Sequence, residues 1–370
     1  MQGSTLHSMK DMIDVPVEAM PVAEAIATSM PRVIDAFDRA AASDVAPVRD
    51  LVVHVEHYRG KMLRPVMVLA CGIAAHPSAF NSGFSTSPQW ASLISREHIV
   101  CGAVVEMVHM ATLVHDDVLD EAEIRRRGKT VNALVGNEAS VMLGDYLIAA
   151  SYALCASLDT PHASREVGEA ARVVCSGELL QLSNRGNFDL PRATYDRIVD
   201  MKTAALIACA CRLGAWASGA SADVINELGN FGREIGVAFQ IQDDVLDLTG
   251  NETVVGKSVR KDLEKGKMTL PLIHHVANTA DRPRAIELLK VLATPASTDL
   301  ADQEQPTSKL QTAALAELLA GVAKTQSIQA AADEARALVA SAIRRLDCVA
   351  QGPARMLLVN SAQAVVQRAF

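Results

Sequence analysis

Two acidic clusters of the same form contain the residues of this chain that could do chemistry. In the first, HDDVLD, Asp116 and Asp120 are four residues apart. Apolar residues recur every three or four positions ahead of this cluster, which predicts a helix with one buried side. Residues four apart lie on one face of a helix, so both carboxylates would point the same way. Like charges at that distance repel each other, and divalent cations would relieve the repulsion.

The second cluster, QDDVLD, places Asp243 and Asp247 at the same spacing and repeats the intervening Val-Leu pair. The two clusters are far apart in the sequence, so they do not form a short-period repeat. Two helices with matched carboxylates could hold one cluster of metal ions from opposite walls of a cavity.

Basic residues follow each acidic cluster. Arg125, Arg126 and Arg127 come within three helical turns of the first motif, and Lys257 and Lys267 follow the second. Carboxylates suit metal ions, and guanidinium groups suit phosphate. The order of these residues therefore indicates a site for a metal-bridged diphosphate. The two lysines could close over phosphates once a substrate has bound.

Two other interpretations of an acidic cluster need to be weighed. A single cluster of this kind is more often a solvated helix face. An EF-hand would need oxygen ligands at alternating loop positions around a central Gly, which DDVLDEAEIRRR lacks. Two motifs at helical spacing, each followed by basic residues, together with RGKMLRP at 59–65, are hard to obtain by chance.

These motifs together resemble the trans-isoprenyl diphosphate synthases, the polyprenyl synthetase family, and the resemblance runs from about residue 25 to the end. The family has two such aspartate motifs and an upstream GK-x-x-RP element, here Gly60 to Pro65. The resemblance implies an all-α, isoprenoid synthase-type bundle of ten or more helices around a central cavity, usually as a homodimer. It also implies a prenyltransferase reaction, in which an allylic diphosphate ionises with the help of Mg²⁺ and condenses with isopentenyl diphosphate, releasing diphosphate.

The resemblance also assigns roles to single residues. The expected metal ligands, holding three Mg²⁺ ions for which Mn²⁺ could substitute, are Asp116, Asp120 and Asp243, with Asp117, Asp244 and Asp247 in close support. The expected ligands of isopentenyl diphosphate are Lys61, Arg64, His109 and Arg126. Lys61 and Arg64 are three apart, which would place them on one side of a helical turn.

The allylic diphosphate is expected to bind Arg125, Lys202, Thr203, Lys257 and Lys267. Arg125, Lys202 and Lys257 would add positive charge as the C–O bond breaks. Lys202 is expected near a helix start, where it would oppose the helix dipole unless an anion bound there. Gln240, one turn before Asp244, could interact with the carbocation. Arg127 stands where the family commonly has Gly, so the identity of the two phosphate-binding arginines stays open.

Product length in this family depends on the depth of a tunnel along the first motif's helix. The side chains one to three turns before Asp116 are Ala111 and Thr112, then Val108, then Val104. None of them has a ring, and an aromatic residue at Ala111 or Thr112 would end growth early. We therefore expect a geranylgeranyl or longer product.

Two alternative functions share part of this pattern. A class I terpene cyclase also ionises an allylic diphosphate with metal ions, but its second motif is usually a mixed Asn/Ser/Glu pattern and it needs no second diphosphate site. A non-catalytic subunit of a heteromeric synthase would keep the fold and lose aspartates, and none is lost here.

The composition agrees with a large helical core. Hydrophobic residues make up 49% of the 370 residues and aromatic residues 4%, a mix that favours helices over sheets. The net charge of -8 argues against a general nucleic-acid-binding protein and offers no basic patch for an anionic membrane. An acidic protein that binds diphosphates must recruit cations.

The sequence also predicts location and domain organisation. Seven scattered cysteines without a CxxC pair are typical of reduced, buried thiols in a cytoplasmic protein. The N-terminus lacks the apolar segment of a signal peptide, and no apolar run approaches the roughly 18 residues of a membrane span. Residues 1–20 are predicted to be a flexible segment, and residues 21–370 a single domain.

Overall fold

The fold is taken from a computed structural model of the chain, which describes residues 15–80, 83–126, 128–250, 261–294 and 306–367. Helices form nearly all of the regular structure in these ranges. The predicted all-α fold class is therefore confirmed. Lys257 and Arg127 lie outside the described residues, and so do residues 1–14 of the predicted flexible segment.

The helices follow one another with short connections. The helices in the first half of the chain are α1 (Met20–Ala41), α2 (Ala46–His54), α3 (Leu63–Ala75), α4 (Ser87–Ala91), α5 (Arg96–Leu119), α6 (Val131–Val135), α7 (Asn137–Cys155) and α8 (His162–Leu182). Those in the second half are α9 (Arg192–Val199), α10 (Ala205–Ala217), α11 (Ala222–Thr249), α12 (Lys261–Glu264), α13 (Leu270–Asn278), α14 (Arg282–Leu292), α15 (Pro306–Lys324), α16 (Ser327–Arg345) and α17 (Pro353–Gln367). A turn of 3-10 helix, Val17–Ala19, leads into α1.

The chain groups into two compact units. The first unit comprises Met1–Arg172, Leu206–Arg233 and Ala342–Ala364, and the second comprises Val173–Ala205, Glu234–Ser341 and Val365–Phe370. The first aspartate motif belongs to the first unit and the second motif to the second unit. The single domain over 21–370 stays a prediction.

Helix α5 is the core helix of the first unit and packs against α1, α3 and α7. Its residues from His98 to Val108 are buried, so the hydrophobic effect holds this helix in place. Its length and composition would allow it to cross a membrane, although 78% of its most apolar window is buried inside the protein. The predicted absence of a membrane span stays a prediction.

A short hairpin follows α5 in the same unit. Strands β1 (Ile124–Arg125) and β2 (Gly128–Lys129) pair antiparallel, with Ile124 opposite Lys129. These two strands form the one sheet within the described ranges. These strands were not predicted from the sequence.

The second unit contains the C-terminal part of α11, which includes the second motif, and packs α14 against α13 and α15. A π-helical turn, Asp200–Ala204, follows α9 directly in this unit. Single π turns of this kind often occur at functional sites.

Candidate active site

The first aspartate motif lies at the C-terminal end of α5. The helix ends at Leu119, and the Asp120 N–H donates to the Asp116 carbonyl at 2.8 Å. The side chains of Asp116 and Asp120 are half-buried, whereas that of Asp117 is 1% exposed. The predicted helix is confirmed, but residues 98–108 are buried on all sides of it and not on one face. The outer carboxylates of the motif, at its end, are partly accessible.

A left-handed residue stops this helix and turns the chain back. Glu121 has φ 49°, its N–H donates to the Val118 carbonyl at 3.2 Å, and the Ala122 N–H donates to the Asp117 carbonyl at 2.9 Å. This pair of hydrogen bonds is a Schellman motif, which ends a helix. Arg125 therefore lies in strand β1. Its predicted position, within three helical turns of the first motif, assumed that the helix continued, and it does not.

Asp117 is held by a network inside the first unit. The Tyr58 hydroxyl donates to its Oδ2 at 2.9 Å, and Arg125 Nε donates to its Oδ1 at 2.8 Å. Arg125 Nη2 is 2.7 Å from the same Oδ1. Two nitrogens of the predicted phosphate ligand Arg125 thus bind a buried carboxylate, which fixes the position of the guanidinium group.

The GKMLRP element has a different local geometry from the one predicted. Helix α3 begins at Leu63, and Met62 before it has φ 52°. Pro65 lies in the first helical turn as expected, where its missing N–H costs nothing. Lys61 precedes the helix, so the prediction that Lys61 and Arg64 share one side of a helical turn is wrong. The left-handed Met62 separates them.

A buried acid lies among the basic residues of the predicted isopentenyl diphosphate site. Glu106, on α5, is 3% exposed. Burial raises its pKa, while the nearby guanidinium groups of Arg64 and Arg126 oppose the rise. Burial and these same arginines keep the pKa of His109 well below its usual range. His109 is therefore neutral at physiological pH, beside two cations that would attract a diphosphate.

Arg126 reaches this cluster because Gly60 leaves room for it. A Cβ added to Gly60 would lie 1.9 Å from Arg126 Nη1, so any larger residue there would displace the guanidinium group. Arg126 itself has φ 46°, a left-handed conformation that is uncommon for a residue with a side chain. Among Arg125 and Arg126, the structure brings Arg126 towards Arg64 and Glu106 and holds Arg125 on Asp117.

The predicted tunnel residues share one face of α5. Val104, Val108 and Ala111 are buried, and Thr112 is half-buried. The Thr112 hydroxyl donates to the His109 carbonyl at 2.8 Å. Their role in product length stays a prediction.

The second motif repeats the burial pattern of the first. Asp243 is exposed and Asp247 half-buried, whereas Asp244 is 3% exposed. Asp244 accepts hydrogen bonds from the Tyr195 hydroxyl at 2.6 Å, from Gln240 Nε2 at 3.0 Å and from the Leu270 N–H at 3.0 Å. Burial raises the pKa of Asp244 to about 7, and these three donors oppose the rise.

Gln240 is fixed at both ends of its amide. Its Oε1 accepts from the Thr203 hydroxyl at 2.9 Å, and its Nε2 donates to Asp244. The predicted substrate ligands Thr203 and Gln240 are therefore brought together by direct contact. A side-chain amide held in this way has one defined orientation of its dipole.

Lys202 lies in the π turn, where its ammonium group donates to Gln181 Oε1 at 2.9 Å and pairs with Glu178. The prediction that Lys202 lies near a helix start is wrong, because helical structure begins at Arg192. The expected conflict with a helix dipole therefore does not arise. The cleft that Lys202 faces in the second unit is lined in part by Thr203, Gln240, Asp244, Asp262 and Lys267.

Lys267 is the described member of the two lysines that follow the second motif. Its side chain is largely buried, and its Nζ lies 3.8 Å from Asp262 Oδ1. It lines this cleft, and its role in phosphate binding stays a prediction.

The carboxylates present suit a hard divalent cation. Each motif has accessible aspartate oxygens, the ligand type that Mg²⁺ prefers. Within the described ranges, no three His, Cys, Asp or Glu side chains form a group that could hold a metal ion. Mg²⁺ usually binds one or two carboxylates and takes its other ligands from water and substrate phosphates, so the donor set fits this ion.

Several residues that the structure places at these sites were not predicted from the sequence. They are Tyr58, Glu106, Glu178, Gln181 and Tyr195. Glu106 carries a signal, since it is an acid inside the apolar run VVEMV. Glu178 and Gln181 are three apart on α8, a helical spacing. The two tyrosines have no local signal.

Comparisons with known proteins agree with this fold and these motifs. The chain matches the polyprenyl synthetase family over residues 46–305. It is 32% identical over 334 residues to heptaprenyl diphosphate synthase component 2 of Geobacillus stearothermophilus, which covers 90% of this chain and 94% of that protein. A decaprenyl diphosphate synthase from Rhodobacter capsulatus has a similar structure, with a TM-score of 0.78 and 30% identity over 94% of this chain and 98% of the other.

A polyprenyl synthase structure from Caulobacter crescentus CB15, complexed with calcium and isoprenyl diphosphate, is also similar. Its TM-score is 0.78 and its identity 28%, over 95% of this chain and 98% of the other. The fold and the two motifs thus define an all-α prenyltransferase. The chain belongs to the polyprenyl synthetase family.

Proposed function

We propose that this chain condenses isopentenyl diphosphate with an allylic diphosphate, repeatedly, to make a long polyprenyl diphosphate. The observation that carries the proposal is that both aspartate motifs are complete and that the carboxylates of Asp116, Asp120 and Asp243 are at least partly accessible. The basic residues Arg64 and Arg126 in the first unit add a candidate site for a second diphosphate. A terpene cyclase has no need of such a site.

Asp116, Asp120 and Asp243 are the proposed Mg²⁺ ligands, with Asp117, Asp244 and Asp247 in close support. Bound Mg²⁺ would neutralise the leaving diphosphate as a Lewis acid, and Mn²⁺ would substitute for it. The Caulobacter crescentus relative was solved with calcium and isoprenyl diphosphate, which supports a divalent cation beside a diphosphate.

The proposed roles of the basic residues follow from charge. Arg125, Lys202 and Lys257 add positive charge where the leaving group becomes negative, and Thr203 and Lys267 bind the same diphosphate. Gln240 presents the fixed dipole of its side-chain amide to the allylic carbocation. Isopentenyl diphosphate is held by the four residues Lys61, Arg64, His109 and Arg126. Its double bond attacks the allylic carbocation, and the departing diphosphate takes the proton that is lost.

The reaction class can be tested with the purified chain alone. Labelled isopentenyl diphosphate and a C15 allylic diphosphate would be incubated with Mg²⁺ or with excess EDTA. We expect label to enter a hydrophobic product with Mg²⁺ and not with EDTA. Consumption of the allylic diphosphate alone would support a cyclase, and no consumption would support a subunit that needs a partner.

Product length is proposed to exceed geranylgeranyl, since two of the similar proteins are named heptaprenyl diphosphate synthase component 2 and decaprenyl diphosphate synthase. Thr112→Phe is expected to shorten the product, because a ring at this half-buried position would block the growing chain. The measurement is the chain-length distribution after separation of the dephosphorylated products. Ala111→Phe is expected to do the same at an additional stability cost of about 1–3 kcal/mol, because Ala111 is fully buried.

The matched control for both variants is Thr112→Val, which keeps the size of the side chain and adds no ring. It should leave product length unchanged. Products of wild-type length from Thr112→Phe and Ala111→Phe would show that the chain grows elsewhere.

We also propose a homodimer built on an apolar face of the first unit. Large apolar side chains on α6 and α7 are exposed, with Val135 50% and Met142 64% exposed, and a patch of this kind commonly marks an interface. Light scattering should give twice the chain mass of 39.4 kDa, and Met142→Glu should shift the protein towards the monomer. A monomer that binds a different protein would instead match the heteromeric arrangement suggested by the relative named component 2.

The proposed location is the cytoplasm. All seven cysteines are in the described residues and all are free thiols. Free, largely buried thiols are typical of a reducing compartment.

A further inference from the structure

The middle aspartate of each motif is more deeply buried than the two outer ones. Asp117 and Asp244, the second aspartates of their motifs, are almost completely buried. The outer aspartates are half-buried or exposed. Burying a carboxylate costs free energy unless hydrogen-bond donors satisfy its oxygens. We therefore asked which donors bind these two side chains.

In the first unit, the donor that satisfies Asp117 is itself anchored. The Tyr58 hydroxyl donates to Asp117 Oδ2 at 2.9 Å and accepts from the Val131 N–H at 3.1 Å. Tyr58 is 1% exposed, so its phenol is buried away from solvent. Arg125 satisfies the other oxygen.

In the second unit, a different tyrosine makes the same contact. The Tyr195 hydroxyl donates to Asp244 Oδ2 at 2.6 Å, and the ring is buried. Gln240 satisfies the other oxygen. The chain has four tyrosines, and two of them hold the second aspartate of a motif.

We propose that Tyr58 and Tyr195 are positioning residues that anchor the second aspartate of each motif and thereby orient the outer aspartates for a divalent cation. Hydrogen bonds to both oxygens hold this carboxylate in one position, and they thereby fix how the helical turn that contains it is rotated about the helix axis. The neighbouring residues, Asp116 on one helix and Asp243 on the other, then point outward in one defined direction. This inference rests on the proposed function, since it concerns the same cation.

The test uses Tyr58→Phe and Tyr195→Phe in the full chain, with Tyr146→Phe as the matched control. Tyr146 donates to the backbone carbonyls of Ala41 and Ala42 and to neither motif. The first readout is the affinity for Mn²⁺, measured by the electron paramagnetic resonance of free Mn²⁺ in the presence of inorganic pyrophosphate. The others are the Mg²⁺ dependence of kcat and KM, and the helix content by circular dichroism.

We expect Tyr58→Phe and Tyr195→Phe to bind Mn²⁺ about 10- to 100-fold more weakly, the range found when a partner of a metal ligand is lost. The helix content should stay unchanged, and Tyr146→Phe should keep wild-type affinity. Two results would overturn the tyrosine inference and leave the proposed function standing. One is wild-type Mn²⁺ affinity in both Tyr58→Phe and Tyr195→Phe, and the other is an equal loss of Mn²⁺ affinity in Tyr146→Phe. A wild-type protein that binds no Mn²⁺ with pyrophosphate would overturn the proposed function and the inference with it.

Discussion

Replacing Asp116 by alanine should lower kcat by about 10³-fold, because a metal ion contributes several kcal/mol of charge stabilisation and each 1.4 kcal/mol is about tenfold in rate. Asp116 is a half-buried residue in the last turn of α5. Alanine is a good helix former, so the helix should persist. The measurement is steady-state turnover at saturating Mg²⁺, beside circular dichroism.

The matched control for this variant is Asp35→Ala in the same unit. Asp35 is exposed on α1 and pairs with Arg39 at 2.6 Å, an exposed pair worth at most about 1 kcal/mol. We expect wild-type turnover from this control. Near-normal turnover from Asp116→Ala would contradict the assignment of Asp116 as a metal ligand.

Replacing Lys202 by methionine should lower kcat by about 10²- to 10³-fold, the cost of removing one group that stabilises developing negative charge. Methionine keeps most of the side-chain length and removes the ammonium group. In the wild-type chain, the Lys202 ammonium group donates to Gln181 and pairs with Glu178. The measurement is the rate of a single turnover, which separates the bond-breaking step from product release.

Loss of Lys202 also leaves Glu178 without this partner, and an unpaired acid could itself disturb the cleft. The double variant Lys202→Met/Glu178→Gln separates the two effects. We expect the double variant to stay as slow as the single variant. Recovery of wild-type turnover in the double variant would show that Lys202 acts only by balancing Glu178.

The parts of the fold with a regular period could be predicted from the sequence. The apolar spacing ahead of Asp116 predicts the helix α5, although residues 98–108 are buried on all sides of it and not on one face. The four-residue spacing places Asp120 one turn after Asp116, where its N–H donates to the Asp116 carbonyl. The same logic places Gln240 one turn before Asp244, where the two side chains are in contact. Helical periodicity is a local property, and short-range order is what a sequence shows most directly.

The end of α5 could not be predicted in the same way. Helices commonly close on a glycine, but here the left-handed residue is Glu121. Without a glycine the sequence has no stop signal here, so Arg125 was expected to follow within a few helical turns, whereas it lies in strand β1. The start of α3 was missed for the same reason, because the left-handed residue before it is Met62 and not a glycine.

The tyrosine contacts depend on the tertiary fold. Tyr58 is 59 residues from Asp117 and Tyr195 is 49 residues from Asp244. Local patterns in a single sequence do not predict a contact between residues so far apart. The pairing of Lys202 with Glu178 has the same cause, because the two residues lie on different helical segments.

The most direct test of the proposed function is the product formed by the purified chain from Mg²⁺, labelled isopentenyl diphosphate and each of the C5, C10, C15 and C20 allylic starters. We predict incorporation of several isopentenyl units into one discrete product longer than geranylgeranyl. Growth that stops at C15 or C20 would contradict the proposed product length. The absence of any incorporation with all four starters would contradict the proposal that this chain alone is a synthase.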